Sequence, residues 1–305
     1  MITFAKEKHE AGKKPSERTV EELLDYGVVP IDKPCGPTSH EVSAHVRRIL
    51  GVAKSGHSGT LDPDVSGVLP VVIGNACKVA TVMLKEGKEY VCVLRLNAPV
   101  SREDLEAALA RFRGKIYQRP PEASAVKREL RVREIYELEL LEHEGEWVLF
   151  RAAVQHGTYI RKLCTDIGEV LGVGGVMAEL RRTRAGGFTE KECFTLQALS
   201  DAVWLYKERK DEKEIRRIVR PVEDAVKLKR VVVSDGALHP ITTGANLAIP
   251  GILSLDEGIA KEELVQVMTG KGELVCLARA FFTTEEILGK KNGIAFDVER
   301  VIHSF

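Results

Sequence analysis

Apolar residues recur at helical spacing at Val42, Val46, Ile49 and Leu50, behind Thr38 and Glu41 in capping-box register, which predicts a helix there. Val28 to Ile31 reads as a short strand before it, and Val68 to Ile73, unbroken and β-branched, as a buried strand after it. A helix is expected over Asn75 to Leu84. Tyr90 to Leu96 alternates, with Tyr90, Cys92, Leu94 and Leu96 on one face of a strand. Ser101 to Phe112 carries a helical stripe of Leu105, Ala108, Leu109 and Phe112. Trp147 to Val154 reads as a strand, Ile160, Leu163, Ile167 and Leu171 mark a helix, and Val176 to Arg184 is an arginine-bearing strand. A helix is expected over Thr195 to Tyr206, then a charged connector, Lys207 to Arg220, read mostly as a solvated helix face.

After Pro221 the pattern changes to short strands separated by glycine-containing turns: Val231 to Val233, Asn246 to Ile249, Leu264 to Met268, Leu274 to Ala280 and Gly293 to Val298. That pattern suggests a small β-barrel. The expected fold is therefore α/β in the α+β sense: a mixed, mainly antiparallel sheet over residues 28–220, then a β-barrel-like module over 221–305. Residues 1–27, with Lys6, Lys8, Lys13, Lys14 and Arg18, have too few apolar positions to fold alone. They are expected to wrap on another part of the chain or to stay mobile.

Composition changes this picture little. A chain of 305 residues suits two domains, or one large and one small, and 44% hydrophobic with 30% charged residues is ordinary for a globular protein. Net charge is zero, but Arg111 to Arg133 holds eight Lys or Arg against two Asp or Glu. A local basic segment of this kind suits phosphate contact, or is a solvated loop. Cys35, Cys77, Cys92, Cys164, Cys193 and Cys276 are scattered without ligand spacing, which argues against a zinc site and for small core residues. No secretory signal or membrane-length apolar span is visible, so the chain is read as intracellular, cytoplasmic and without a membrane partner.

The candidate chemistry lies in Gly56 to Gly74, GHSGTLDPDVSGVLPVVIG. Pro63 stiffens the turn after Asp62, and the following strand anchors it. A carboxylate on a rigid loop can act as nucleophile or base; on turn chemistry alone, Asp62 could equally just shape its turn.

Five ordered motifs add to this. GHSGTLDP, the upstream DKPCGPTSHEV, the downstream KEY at Lys88 to Tyr90, GTYIRKLCTDIG from Gly157 and LRRTRAGGF from Leu180 resemble the TruB family of pseudouridine synthases. TTGANLAIPGI, from Thr242, resembles a signature of the PUA domain, an RNA-binding module. Within the family the chain is most similar to the archaeal dyskerin-type catalytic subunit of H/ACA guide-RNA particles. Pseudouridine formation breaks the uridine C–N bond, turns the base and joins C5 to the sugar. Nothing enters or leaves overall, so no cofactor and no metal are expected.

The resemblance assigns roles to residues. Asp62 is matched to the essential carboxylate, either attacking the sugar or removing its 2′ proton. Tyr90 matches the tyrosine that stacks on the target base, Tyr159 a second active-site tyrosine, and Arg182 the arginine that pairs with the aspartate. Alone, either tyrosine could be a packing residue. His57 matches a histidine that helps fill the space left by a flipped base; an isolated histidine is as readily structural. Lys33 and Pro34 match a motif that supports the catalytic loop. Lys127, Arg128 and Arg131 belong to a hairpin with a mobile tip, the thumb loop, suited to RNA phosphates. Ala185-Gly186-Gly187 stands where the family more usually has Gly-Pro, which bears on local stiffness.

The implied partners are guide and substrate RNA, small H/ACA proteins, one of them on the catalytic domain, and a kink-turn-binding protein on the guide. Two other readings stay open: a standalone tRNA synthase, and a catalytically silent RNA-binding scaffold.

Overall fold

A computed structural model describes residues 1–4, 10–120, 127 and 129–303. The expected helix after Thr38 spans Ser39–Leu50. Thr38 Oγ1 accepts from the Glu41 backbone N–H at 3.1 Å, and the Glu41 carboxylate accepts from the Thr38 N–H at 2.7 Å. Two of the orphan donors at the helix start are thereby satisfied. The helix ends at Gly51, whose φ of 70° is the left-handed conformation that releases the chain. Val42, Val46 and Leu50 are buried against strand residues Ile31, Leu69, Val71 and Ile73. Each such side chain contributes roughly 1.5–3 kcal/mol of apolar burial.

Among the described residues ten strands form the larger sheet. Its spatial order is Arg220–Pro221, Gly27–Lys33, Ser66–Ile73, Gly175–Ala185, Lys88–Leu96, Trp147–Val154, Arg131–Glu144 and Gly114–Gln118. Ser55–His57 adds to Ser66–Ile73, and Phe188–Thr189 to Gly175–Ala185. All neighbours are antiparallel except Ser66–Ile73 with Gly175–Ala185, where Ser66 faces Arg181 and Gly67 faces Arg182. Gly67, at φ 107°, permits this junction: a Cβ there would lie 2.2 Å from the Arg182 carbonyl oxygen. The mixed, mainly antiparallel α/β fold is as expected.

Further along the sheet, Tyr90 is partly buried, while Cys92, Leu94 and Leu96 are fully so, packed on Leu105, Leu109, Leu163 and Ile167 of two helices. The stretch read as one helix from Asn75 is a 3₁₀ turn, Gly74–Val79, followed by the α-helix Ala80–Leu84. The charged connector is less solvated than its composition suggests. Its helix Lys213–Ile218 buries Ile215 and Ile218 in the same core as Leu199 and Val203. Gly114–Gln118 and Arg131–Glu144 form the expected hairpin, with Gln118 opposite Arg131 at its described end.

Among the described residues seven strands form the second sheet, which curls around Val231, Leu255, Val267, Val275 and Phe296. The five strands read from the sequence are present. Ile252–Leu255 and, from the chain's start, Ile2–Thr3 complete the sheet. Met268, Leu274, Leu277 and Ile302 of this module share a core with Val28, Val68 and Val72 of the larger sheet. The two units are thus packed together.

Candidate active site

The segment from Gly59 to Val68 crosses the sheet at its parallel junction, and neighbouring elements grip it by its backbone. Buried Ser39, on the capped helix, donates to the Leu61 carbonyl at 3.1 Å and accepts from the Leu61 N–H at 2.8 Å. Lys33, fully buried, donates from Nζ to the carbonyls of Pro34, Pro63 and Val65 at 3.0, 3.2 and 2.8 Å. Arg182 donates from Nε to the Val68 carbonyl at 2.8 Å and from Nη2 to the Gly59 carbonyl at 3.2 Å. Leu61 and Val65 point into the protein, and Asp62 between them points out, 54% exposed. A loop tied at both ends presents one carboxylate in a fixed direction.

That carboxylate takes a hydrogen bond from Nη2 of Arg161 at 2.7 Å. The same guanidinium lies 3.9 Å from Asp64. This corrects the sequence reading, which gave the pairing to Arg182. The correction has a physical cause. Arg182 is 1% exposed, and its strand directs the guanidinium under the loop, where backbone carbonyls occupy it. Arg161 stands on the first turn of the helix Ile160–Val170, whose start faces Asp62. The signal was present in GTYIR, two residues beyond Tyr159, but the arginine-rich strand motif drew the assignment away.

A cavity of about 450 Å³ opens beside the carboxylate. Asp62, Tyr90, Tyr159, Arg161 and Arg182 all line it, with Lys88, Leu84, Met177 and Leu180. Residues from four separate parts of the chain meet here, as sites of chemistry require. Tyr159 is fixed by a residue the sequence reading did not single out. Gln118, 2% exposed at the loop end of the hairpin strands, accepts from the Tyr159 N–H at 2.9 Å and donates to its carbonyl at 3.1 Å. The hairpin is thereby coupled to the pocket wall.

The other sequence-selected residues that the structure describes stand outside the cavity. His57 does not line the cavity. It sits on the short strand Ser55–His57, edge-on to His40 with ring centroids 4.8 Å apart. Its two ring nitrogens are buried without a hydrogen-bond partner among the described residues. Burial, then the charges of His40 and Arg182, push its pKa down to about 4. Lys127 is exposed on the hairpin, and its carbonyl accepts from Arg131 at 3.4 Å. Arg128 lies outside the described residues. Pro34 supplies only a carbonyl to Lys33. Arg181, the other arginine of its strand motif, pairs with Asp32 and Glu190 at 3.0 Å each.

A fixed carboxylate, a guanidinium that orients it, two aromatic rings and a half-enclosed cavity suit chemistry on a single base withdrawn from its stack. The comparisons with known proteins agree. The TruB family pseudouridylate synthase N-terminal domain matches residues 47–160, the tRNA pseudouridylate synthase B C-terminal domain residues 161–227, and the PUA domain residues 229–302. A DKCLD domain matches residues 3–43. A protein of Archaeoglobus fulgidus called probable tRNA pseudouridine synthase B is 52% identical over 94% of this chain and 89% of its own length. A protein of the same name from Methanocaldococcus jannaschii is 52% identical over 95% of this chain and 87% of its own. Among solved structures, a chain in a Cbf5-Nop10-Gar1 complex superposes with a TM-score of 0.93 at 46% identity, covering 99% of this chain and 92% of its own. A chain in an H/ACA RNP bound to a substrate RNA containing 2′-deoxyuridine gives 0.91 at 44%, covering 99% and 92%.

The fold and the matched domains define an RNA-modifying isomerase. The chain belongs to the TruB family of pseudouridine synthases, with a PUA module at its C-terminal side.

Proposed function

We propose that this chain is the catalytic subunit of a guide-RNA particle, and that it isomerises a uridine presented by the guide. Asp62 acts on the sugar of that uridine, held in direction by Arg161. Tyr90 stacks on the base, and Tyr159, set by Gln118, bounds the pocket from the other side. The PUA module grips the guide at its ACA end. Lys127, Arg128 and Arg131 meet the backbone of the substrate strand.

The observation that carries the guided reading is the likeness, along nearly the whole chain, to chains solved in H/ACA complexes with Nop10, Gar1 and substrate RNA. By that likeness, small proteins of these kinds would dock on the catalytic domain. A kink-turn-binding protein on the guide follows only from the family resemblance. The names of the archaeal relatives favour a second reading, a synthase acting on tRNA without a guide. A silent scaffold is disfavoured by the cavity, which brings Asp62, Arg161 and Tyr90 together.

Purified chain is assayed on a guide–target pair and on tRNA, with and without the small partner proteins. Conversion that depends on the guide supports the first reading; equal conversion of tRNA alone supports the second. Asp62→Asn is expected to abolish conversion on either RNA while leaving RNA affinity nearly unchanged, because one exposed carboxylate adds no attraction to phosphate. Appreciable turnover by Asp62→Asn would overturn the assignment of the carboxylate.

A further inference from the structure

Whichever role Asp62 takes, the C1′–N1 bond breaks heterolytically. The electron pair of that bond leaves with the base, so uracil is an anion until C5 bonds to C1′; the proton on C5 is then lost and one returns to N1. The negative charge spreads over N1, O2 and O4. Something in the pocket must stabilise it, because neutral rings alone do little for a charge withdrawn from water. Arg161 is engaged with Asp62. Two other cations line the cavity, Lys88 and Arg182, 5% and 1% exposed.

These two cations are arranged unusually. Among the described residues neither forms a salt bridge with a carboxylate; both are held by backbone oxygens. Lys88 Nζ donates to the carbonyls of Met83, Leu84 and Glu86 at 3.2, 2.8 and 2.7 Å. Arg182 is held by Val68 and Gly59 as described above. They lie together beneath the loop: a Cβ on Gly59 would sit 3.7 Å from Arg182 Nη1 and 3.8 Å from Lys88 Cε. Burying two like charges side by side, with carbonyl dipoles as their bonded partners among the described residues, is unfavourable for folding. It is favourable for an anion that forms above them, since the charges are already fixed and nothing must reorganise when the bond breaks.

We propose that Lys88 and Arg182 form a fixed positive floor that stabilises the detached uracil anion, Lys88 acting through space because its three N–H donors are taken. This rests on the pocket around Asp62 being the reaction site. The charged and titratable groups around Lys88 are Arg182 on the neighbouring strand, the Glu86 carboxyl on the preceding turn and His156 beyond the strand Trp147–Val154. Burial, then Arg182, draw the Lys88 pKa down to about 8 against the opposing pull of Glu86. The floor therefore discharges partly under mildly alkaline conditions.

The test uses full-length protein with its RNA and partner proteins, under single turnover. Lys88→Met is expected to slow the chemical step by about 10- to 100-fold, while RNA affinity stays within about threefold. On RNA carrying 5-fluorouridine at the target, read at pH 7 as C1′–N1 cleavage, the same variant should lose less, because the fluorinated base carries negative charge more easily. Wild-type rate should decline above about pH 8, and Lys88→Arg, which keeps its charge, should hold its rate through that range. A merely structural Lys88, capping the carbonyls after the helix Ala80–Leu84, would give equal losses on both bases and leave the pH limb unmoved in Lys88→Arg. Either result overturns the proposal, as does an unimpaired, folded Lys88→Met. If Lys88→Met does not fold, Lys88→Gln takes its place on both bases: equal losses on uridine and 5-fluorouridine refute the floor. Asp62→Asn is run alongside. If it is active, the pocket assignment itself fails; if it is inactive and Lys88→Met is normal, only the floor fails.

Discussion

Arg161 and Arg182 divide two tasks that the sequence reading gave to one residue, and paired substitutions separate them. Arg161 and Asp62 are 43% and 54% exposed at the side chain, so their ion pair contributes at most about 1 kcal/mol to stability. For a chain of this size Arg161→Ala should lower the melting temperature by no more than about 3 °C. Its effect on conversion should be much larger. Without the guanidinium the carboxylate can rotate out of reach of the sugar, and misplacement on the scale of an ångström costs about 100-fold in rate. Arg182→Ala differs in that it strikes stability first, beside any loss of conversion from removing half of the proposed positive floor. It strips the carbonyls of Gly59 and Val68 of their buried donor, at about 1–3 kcal/mol each. It also leaves space where a fully buried side chain stood, so the melting temperature should fall by roughly 10 °C or more. Thermal melts followed by circular dichroism, beside tritium release from RNA labelled at uridine C5, read both quantities. A stable, inactive Arg182→Ala together with an active Arg161→Ala would refute this division and return the pairing to Arg182.

Three further outcomes are expected. Replacing Lys127, Arg128 and Arg131 together by Ala should weaken substrate capture and flatten its log–log salt dependence, by about one unit of slope at most per charge. An unchanged slope with a lowered melting temperature would reject the phosphate-contact reading. Conversion should survive exhaustive chelation, since the cysteines lack ligand spacing and the described residues include no group of three or more His, Cys, Asp or Glu placed to hold a metal. Loss of activity restored by zinc, tested on this chain apart from its partners, would count against that. His57 has a folded pKa of about 4 against an ordinary 6.5. Between those values the unfolded chain binds a proton that the folded chain does not, so stability falls as pH falls through that window, by about 3 kcal/mol at most. His57→Phe should remove this dependence, and chemical denaturation at pH 4.5 and 7 measures it; parallel losses in both proteins would assign the acid sensitivity elsewhere.

The elements were legible where their pattern is local. Periodicity and caps located the helix Ser39–Leu50 and the strands Trp147–Val154, Leu264–Met268 and Leu274–Ala280, because their apolar faces are set by residues near in sequence. The site was legible only in part. Asp62, Tyr90 and Tyr159 stand in recognisable motifs, and the fold brings all three to one cavity. Motif order carries no information on which way a side chain turns, so it points to Arg182 on a strand where the structure has Arg161 on a helix. Ser39 and Lys88, though inside quoted motifs, and Gln118 received no role from the sequence for a related reason. Each acts on backbone atoms, and backbone atoms carry no sequence signature.

The first residues of the chain show the same limit at larger scale. Nothing local predicts that Arg18 is 1% exposed, since its neighbours are polar. Its guanidinium forms two bonds of 2.8 Å to Glu223 and a longer one of 3.5 Å to Glu273, at sequence separations of 205 and 255. Glu273 in turn accepts from the Lys13 N–H, and Glu223 from the Leu274 N–H. Removing one member of such a buried network leaves charge without a partner, a loss of about 3–5 kcal/mol. Arg18 thus joins the segment after the larger sheet, at Glu223, to a strand turn of the second sheet, at Glu273. With the shared core of Val28, Val72, Leu274 and Ile302, it makes the PUA module part of the same packed body as the catalytic sheet. RNA held on that module would therefore be held at a set distance from Asp62, a constraint that resides in contacts between distant residues and not in any single motif.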